Sequence, residues 1–355
     1  MSLRSLLEKE LHWSTRNVLI LVFLLLLLPG FFAGTSLLFQ DVLPRDVPVA
    51  VVPGDDSVGE SDIEIVEGGI ASVTDPERVG DMDDAREMLE REEVYAIVEV
   101  PGELTTEGET ATFRFVVDGS VVPFLSPSEV IQSLAESELD AILPAEITVE
   151  REVVGEEKDL PEYLFPSFLL VLFLFLSFTY VPYNLKSESA VIDRLRVESS
   201  LEALVVSKLV FFLLLALVPI LVFHTAAVYY GYGIDSLAPG AVFVLLGTFL
   251  LLSTVSMTIL ILSRFSSVGL FVNVTLMLGL VAMSAFAFPL GFFSSLRTTI
   301  AQLLPTYYAG VMTRSVMLKD SSLATFSDWV LGIGLLLVVA GLACKASIVH
   351  YRRAS

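Results

Sequence analysis

NVLILVFLLLLLPGFFAGTSLLFQ, residues 17–40, runs for 24 positions without one charged side chain. Five further uncharged, largely apolar runs follow, at 163–185, 209–234, 236–263, 265–296 and 329–344. The hydrocarbon core of a bilayer is about 30 Å thick, and about 20 helical residues cross it. A charge near the middle of such a helix costs roughly 2.5–3.5 kcal/mol, so runs of this length without one are informative. The pattern predicts an α-helical polytopic membrane protein with six transmembrane helices, at 18–40, 163–184, 209–231, 240–263, 266–288 and 329–349. The last run is short, but 346–350 extends it while Lys345 snorkels to the interface. A cleaved signal peptide is the rival reading of the first run. Its leader carries acids, however, and the run continues past the small residues Ala33 and Gly34 to Phe39, which favours a retained span.

Charge divides the chain into two populations. The whole carries 42 acidic and 21 basic side chains, a net charge of −21. Residues 41–160 hold 32 of the acids and 7 of the bases, so the membrane part is mildly basic. With the N-terminus in the cytoplasm, and residues 41–160 set aside as too long for the rule to count, 11 Lys and Arg fall on inner segments and 3, Arg297, Arg314 and Lys319, on outer ones. The positive-inside rule then puts both termini in the cytoplasm and residues 41–160 outside. An exterior this acidic, with 15 Arg against 6 Lys, fits the haloarchaeal-like habit of staying hydrated in high salt through surface carboxylates. It argues against binding nucleic acid, whose phosphates need basic partners. Cys344 is the one cysteine, so an intrachain disulfide is excluded.

Residues 1–17 place Leu3, Leu6, Leu7 and Leu11 at helical spacing, which predicts an amphipathic entry helix on the inner leaflet. Segment 41–160 alternates strand and helix signals, predicting an inserted extracellular mixed α/β domain. Strands are expected at 47–52, 94–100, 112–117 and 147–153 and a helix at 83–92. A second helix is expected from a capping box at Ser126-Pro127-Ser128-Glu129 to about Ile142. Segment 185–207 is too polar to span. Its residues alone read as a solvated cytoplasmic loop with helical periodicity. Segment 289–328 is apolar but interrupted by Pro289, Gly291, Pro305 and Gly310, which predicts re-entrant or short helices in the outer leaflet. Irregular backbone at that depth must be buried in protein or line a cavity. Residues 350–355 form a cytoplasmic tail.

Few side chains stand out for chemistry. His224 is an ionisable group inside a predicted span, a functional candidate by default, although a hydrogen-bonded neutral imidazole fits as well. Arg314 and Lys319 read as cations snorkelling at the outer interface, and Tyr229, Tyr230 and Tyr232 as an aromatic belt. Phe286, Phe288, Phe292 and Phe293 read as packing residues, with a lipid-facing gate as the sharper alternative. Asp81, Asp83 and Asp84 lack the Gly and terminal Glu of a calcium loop, so no metal site is expected. The sequence has no phosphate-cradling glycine loop, metalloprotease pair or nucleophile elbow, and no catalytic residues are expected.

Taken in order, several short marks resemble one family, the permeases of ABC type-2 transporters, in the subgroup with a large ectodomain between spans one and two. Lys9-Glu10-Leu11 with Arg16 is similar to its entry helix. Val49-Ala50-Val51-Val52, Ala96-Ile97-Val98-Glu99-Val100-Pro101 and Val116-Val117-Asp118-Gly119-Ser120 look like its ectodomain strands. Glu188, Arg194, Leu195, Ser200, Leu201 and Glu202, ahead of Lys208, are similar to its ATPase-coupling region. Val191-Ile192 stands where the family often has Gly-Thr. Phe288-Pro289 and Leu303-Leu304-Pro305-Thr306-Tyr307 resemble its short helices before the sixth span. The resemblance implies a transport permease, an exporter, working as a dimer with a second permease copy or close paralogue in the lipid bilayer. It implies a partner ABC ATPase subunit that binds ATP and Mg, with no cofactor on this chain. It also implies a coupling surface at 185–207 and a translocation path near His224, Phe288, Pro289, Pro305 and Tyr307. The alternative from another class is a membrane receptor or assembly scaffold with a ligand-binding ectodomain and no transport.

Overall fold

The computed structural model describes residues 47–55, 57–102, 104, 110–188 and 201–354. The entry helix, the first expected span and the coupling residues Arg194, Leu195 and Ser200 lie outside these. The described residues are mostly helical, with one five-stranded sheet among them.

The sheet strands are β1 Val47–Pro53, β2 Thr74–Arg78, β3 Ala96–Val100, β4 Thr110–Asp118 and β5 Glu146–Val154. Their spatial order is β2-β1-β3-β4-β5; β3 and β4 run antiparallel and the other pairs parallel. Parallel neighbours need crossovers, usually helical. Helix α1 (Glu60–Ile70) links β1 to β2, α2 (Met82–Glu90) links β2 to β3, and α3 (Val122–Ile142) links β4 to β5. Side chains alternate across a strand, and β1 uses both faces. Val47, Val49 and Val51 join the core under α1 and α3 with Ile63, Val66, Phe113, Phe124 and Ile131. Ala50 and Val52 turn to the other face and pack under α2 with Ala85, Leu89 and Ile97.

The structure departs from expectation at α1 and β2, which the sequence reading did not predict, and at the start of α3. That helix opens at Val122 with Pro123 in its first turn, and Pro127 lies inside it. The supposed capping serine is not the cap. The Asp81–Asp84 cluster has a structural role: the Asp81 carboxylate accepts from Asp84 N at 2.8 Å and caps α2.

After β5 the chain becomes a helix bundle. Helix α4 (Leu160–Phe175) passes through a π-helical turn, Leu176–Tyr180, into α5 (Val181–Ser187). Then come α6 (Leu201–Leu215), α7 (Leu217–Tyr230), α8 (Pro239–Leu262) and α9 (Ser267–Met283). Short pieces follow: a 3-10 turn at Leu290–Phe292, α10 (Ser295–Gln302), α11 (Pro305–Leu318) and a second 3-10 turn at Leu323–Phe326. Helix α12 (Ser327–Ala354) closes the chain. Among the described residues four helical stretches are long and apolar enough to cross a membrane: Leu160–Ser187, Leu201–Tyr230, Pro239–Leu262 and Leu323–Arg353. The run expected to span 266–288 is shorter. Helix α9 ends at Met283, and Ala285 adopts φ 51°, outside the helical region. The stretch expected at 209–231 begins earlier, because Leu201, Val205 and Lys208 already lie on a buried helical face.

Helix α8 is the hub. It packs against α4, α5, α6, α9, α11 and α12, and 72% of its apolar stretch is buried, against 28% for α6–α7 and for α12. The α/β core does not stop at the bundle: Tyr163 of α4, Phe292 and Leu318 are part of it.

Candidate functional site at the junction of the α/β domain and the helix bundle

The junction is built from the turn that ends α2. Glu92 N bonds Leu89 O at 3.2 Å and Glu93 N bonds Met88 O at 2.9 Å, the paired bonds of a Schellman C-cap. That motif needs a left-handed residue, usually glycine, and here Glu92 supplies it at φ 54°. A non-glycine residue there costs on the order of 1 kcal/mol. The side chain it brings is the reason to keep it.

Glu92 reaches into the bundle and takes a bidentate pair of bonds from Arg314 of α11. Arg314 Nε donates to Oε1 at 3.1 Å and Nη2 to Oε2 at 2.7 Å. Both side chains are 2% exposed. The third guanidinium nitrogen, Nη1, lies 3.4 Å from Ser167 Oγ of α4, and the Tyr163 ring sits 5.5 Å away. Forked geometry suits arginine, since it satisfies both carboxylate oxygens at once. The next residue, Ser315, donates through Oγ to Glu90 O at 2.8 Å, and about a turn further on Lys319 Nζ donates to Glu90 O at 3.2 Å and pairs with Asp118 at 2.6 Å. Cations near a helix C-terminus complement its exposed carbonyls. Arg314 and Lys319 are therefore not snorkelling side chains: Arg314 is buried, the Lys319 side chain is 9% exposed, and both fasten α11 to the α/β domain.

A second contact is made by Tyr95 at the edge of β3. Its hydroxyl accepts from Leu290 N at 2.9 Å. Gly291 fits beside the ring because it has no Cβ; one would stand 2.9 Å from Tyr95 Cε2. Phe292 packs edge-on to Phe124, 6.4 Å between centroids. At the outer rim Arg91 pairs with Asp328 at 2.8 Å and lies 4.7 Å over the Trp329 ring. Its Nε is 3.1 Å from Glu93. Burial pushes the Glu93 carboxyl above its usual range, helped by the nearby Asp328, Glu77 and Glu87, although Arg91 opposes them.

Between these contacts a cleft of about 1010 Å³ remains. It runs from Asp75, Glu77 and Tyr95 of the sheet to Leu290–Phe293, Thr298 and Gln302 near α10, and to Tyr307, Tyr308 and Trp329. Of the residues expected near a translocation path, Tyr307 lines it and is 5% exposed. Pro289 is buried and leads into the lining turn; Phe288 is 44% exposed and packs on Phe292. Pro305 opens α11. His224 is not a lining residue: it sits on α7 with Nδ1 3.0 Å from Ser236 Oγ.

Of the expected coupling residues, Glu188, Leu201, Glu202 and Lys208 are described, and Lys208 and Glu188 meet at the opposite end of α4–α5 from this junction. Lys208 Nζ, buried, donates to Asn184 Oδ1 at 2.5 Å and pairs with Glu188 at 2.7 Å. Glu202 pairs with Arg352 of α12, and Leu201 is buried. Lys186 Nζ donates to Ser267 Oγ at 2.8 Å, adding α9. Sequence reasoning missed Glu92, Tyr95, Tyr308 and Trp329. Glu92 stands in a run of acids with nothing to mark it. The usable signal was Arg314, a cation inside an apolar helix, which calls for a buried acid.

The family model described as ABC-2 family transporter protein matches residues 16–345 of the chain. No curated protein and no solved structure matches it.

Proposed function

The chain belongs to the ABC-2 transporter family, and from that premise we propose that it is the permease of an ATP-driven exporter, paired with a second permease and powered by a separate ATPase. As a member of that family it is a multi-pass membrane protein and a translocation component. One observation carries the reading: a single family match extends from residue 16 to 345, across both the α/β domain and the bundle. The sequence holds no phosphate-binding glycine loop, so ATP and Mg belong to the partner.

In this reading six spans cross the membrane, residues 41–160 lie outside as an inserted domain, and both termini are cytoplasmic. The distribution of Lys and Arg supports that orientation. ATP-driven closure of two ATPase subunits moves segment 185–207, with Arg194 and Leu195 among its expected docking residues. Both flanks of that segment are pinned to the bundle, through Lys208 with Glu188 and Asn184 and through Glu202 with Arg352. Such anchorage suits a lever, because a push on the segment reaches α5, α6 and α12 together. At the far end, Arg314 and Lys319 make α11 and the α/β domain move as one body. Tyr307, Pro305, Pro289 and Phe288 then belong to the outer part of the path.

The test is purification of the full chain in mild detergent with mass spectrometry of what accompanies it. A stoichiometric ABC ATPase, lost on replacing Arg194 and Leu195 with Asp, is the expected result. Its absence from folded protein overturns the reading in favour of a receptor or scaffold. Orientation is read separately. In a Cys344→Ser background, cysteines placed at Glu64 and at Ser355 are labelled with a membrane-impermeant maleimide, and only the first reacts in intact cells.

A further inference from the structure

We propose that the cleft between the α/β domain and α10–α11 binds an organic ammonium cation, held by aromatic faces and drawn in by carboxylates. The inference deepens the permease reading by naming a ligand class, but it rests on the cleft's own chemistry.

Charge comes first. Every ionisable acid or base that lines the cleft is acidic: Asp75, Glu77, Glu92 and Glu93, with no Lys, Arg or His among the lining residues. Glu92 is neutralised from behind by Arg314. Glu93 shares Arg91 and is still 39% exposed. Asp75 and Glu77 are exposed and have no ion pair among the described residues. A concave wall of one sign concentrates counter-charge.

Six aromatic side chains line the cleft as well: Tyr95, Phe292, Phe293, Tyr307, Tyr308 and Trp329. Two of these rings already carry the chain's own cations, Arg91 over Trp329 at 4.7 Å and Arg297 over Phe293 at 3.2 Å. Ring faces with a partial negative charge attract ammonium groups in the same way. Tyr307 adds a specific group. It lines the cleft and is 5% exposed, so its position in the wall is fixed by packing.

Size and geometry select an organic cation over a metal ion. A volume of about 1010 Å³ suits a drug-sized molecule, and no group of three or more metal-ligating side chains converges among the described residues.

The test uses the full chain in lipid nanodiscs with Trp13→Phe, which leaves Trp329 in the cleft wall as the fluorescent reporter. Benzyltrimethylammonium is titrated, with benzenesulfonate as an anion of similar size. The expected result is a saturable change with the cation and none with the anion. Asp75→Asn with Glu77→Gln weakens the cation's affinity on the order of tenfold, since screened surface charges act modestly. These two side chains are exposed at a sheet edge, so folding is kept, and an unchanged melting temperature checks it. Tyr307→Phe, which removes one oxygen, weakens binding on the order of threefold to tenfold. No saturable change, an equal response to benzenesulfonate, or undiminished affinity in the Asp75→Asn, Glu77→Gln protein overturns the proposal. Binding needs no ATPase, so a cation site without a co-purifying ATPase leaves this inference standing and removes the permease reading.

Discussion

Glu92 and Arg314 are 222 residues apart in the chain and meet as a two-pronged ion pair sealed from solvent, each side chain 2% exposed. Taking two such charges out of water costs several kcal/mol per ion, and forked hydrogen bonding is what offsets it. Removing one partner leaves the other buried and unpaired, which costs roughly 3–5 kcal/mol. Arg314→Met and Glu92→Leu should each lower the melting temperature in detergent by many degrees. The double variant should lose far less than the two single losses added together. Additive losses would show that the pair is not coupled.

The backbone at Glu92 gives a change of sign. At φ 54° glycine is preferred over any side chain by about 1 kcal/mol. In the parent protein Glu92→Gly should still destabilise, because the stranded Arg314 outweighs the relieved turn. In an Arg314→Met background that penalty is gone. There Glu92→Gly should be more stable than Glu92→Ala by up to about 1 kcal/mol, read from thermal unfolding of the two.

Much of this fold was legible in the sequence. Strand β1 and the strands at 96–100, 110–118 and 146–154 stand where valine-rich and β-branched runs predicted them. Strand β2 was not, because Thr74-Asp75-Pro76-Glu77-Arg78 has the composition of a loop. It pairs only with β1, at the sheet edge, where a proline is tolerated. Helix α1 has Ile63, Val66 and Ile70 at helical spacing, but Gly68-Gly69 and many acids obscured it. The site was barely legible. A sequence shows that Arg314 needs an acid but not which one, since 32 acids in residues 41–160 compete for the assignment. Only the Schellman turn at the end of α2 aims Glu92 rather than Glu90 or Glu93 at it.

Gly291 and Tyr95 form a second contact that single substitutions can test. An alanine Cβ at 291 would lie 2.9 Å from the Tyr95 ring, so the ring or the turn must shift, at the expense of the hydroxyl's bond to Leu290 N. Gly291→Ala should cost about 1–3 kcal/mol, the usual range for overpacking. Tyr95→Phe removes the acceptor of Leu290 N and should cost about 1–2 kcal/mol. Faster hydrogen exchange in the peptide covering residues 290–293 is the local signature of Tyr95→Phe. Unchanged exchange there would mean that the hydroxyl does not hold the turn.

At the other end of the bundle, Lys208 satisfies both Asn184 and Glu188. Lys208→Ala leaves both without their cation. Charged hydrogen bonds contribute about 1.5–3 kcal/mol, so a clear loss of thermal stability is expected. Lys208→Arg should not restore it, because a planar guanidinium does not fit a site shaped for a compact ammonium. Glu188→Gln keeps one acceptor and should lose less than Lys208→Ala. Equal stability of Lys208→Arg and the parent would show that charge alone matters.

The rim carboxyl of Glu93 makes junction stability depend on pH. Burial raises its affinity for a proton, with Asp328, Glu77 and Glu87 adding to the effect against Arg91. A carboxyl raised in the folded state binds its proton more tightly there than in the unfolded chain. The folded state is therefore favoured when Glu93 is protonated, and that advantage is lost as pH rises from 4.5, its ordinary value, through the raised one. Glu93→Gln imitates the protonated form at every pH. Its melting temperature should exceed the parent's at pH 7, and the gap should close on acidification toward pH 4.5. The other carboxylates titrate in both proteins, so the difference between the two curves isolates Glu93. A gap independent of pH would mean that Gln acts through packing and not through charge. A parent more stable at pH 7 would mean that the 3.1 Å contact with Arg91 outweighs burial.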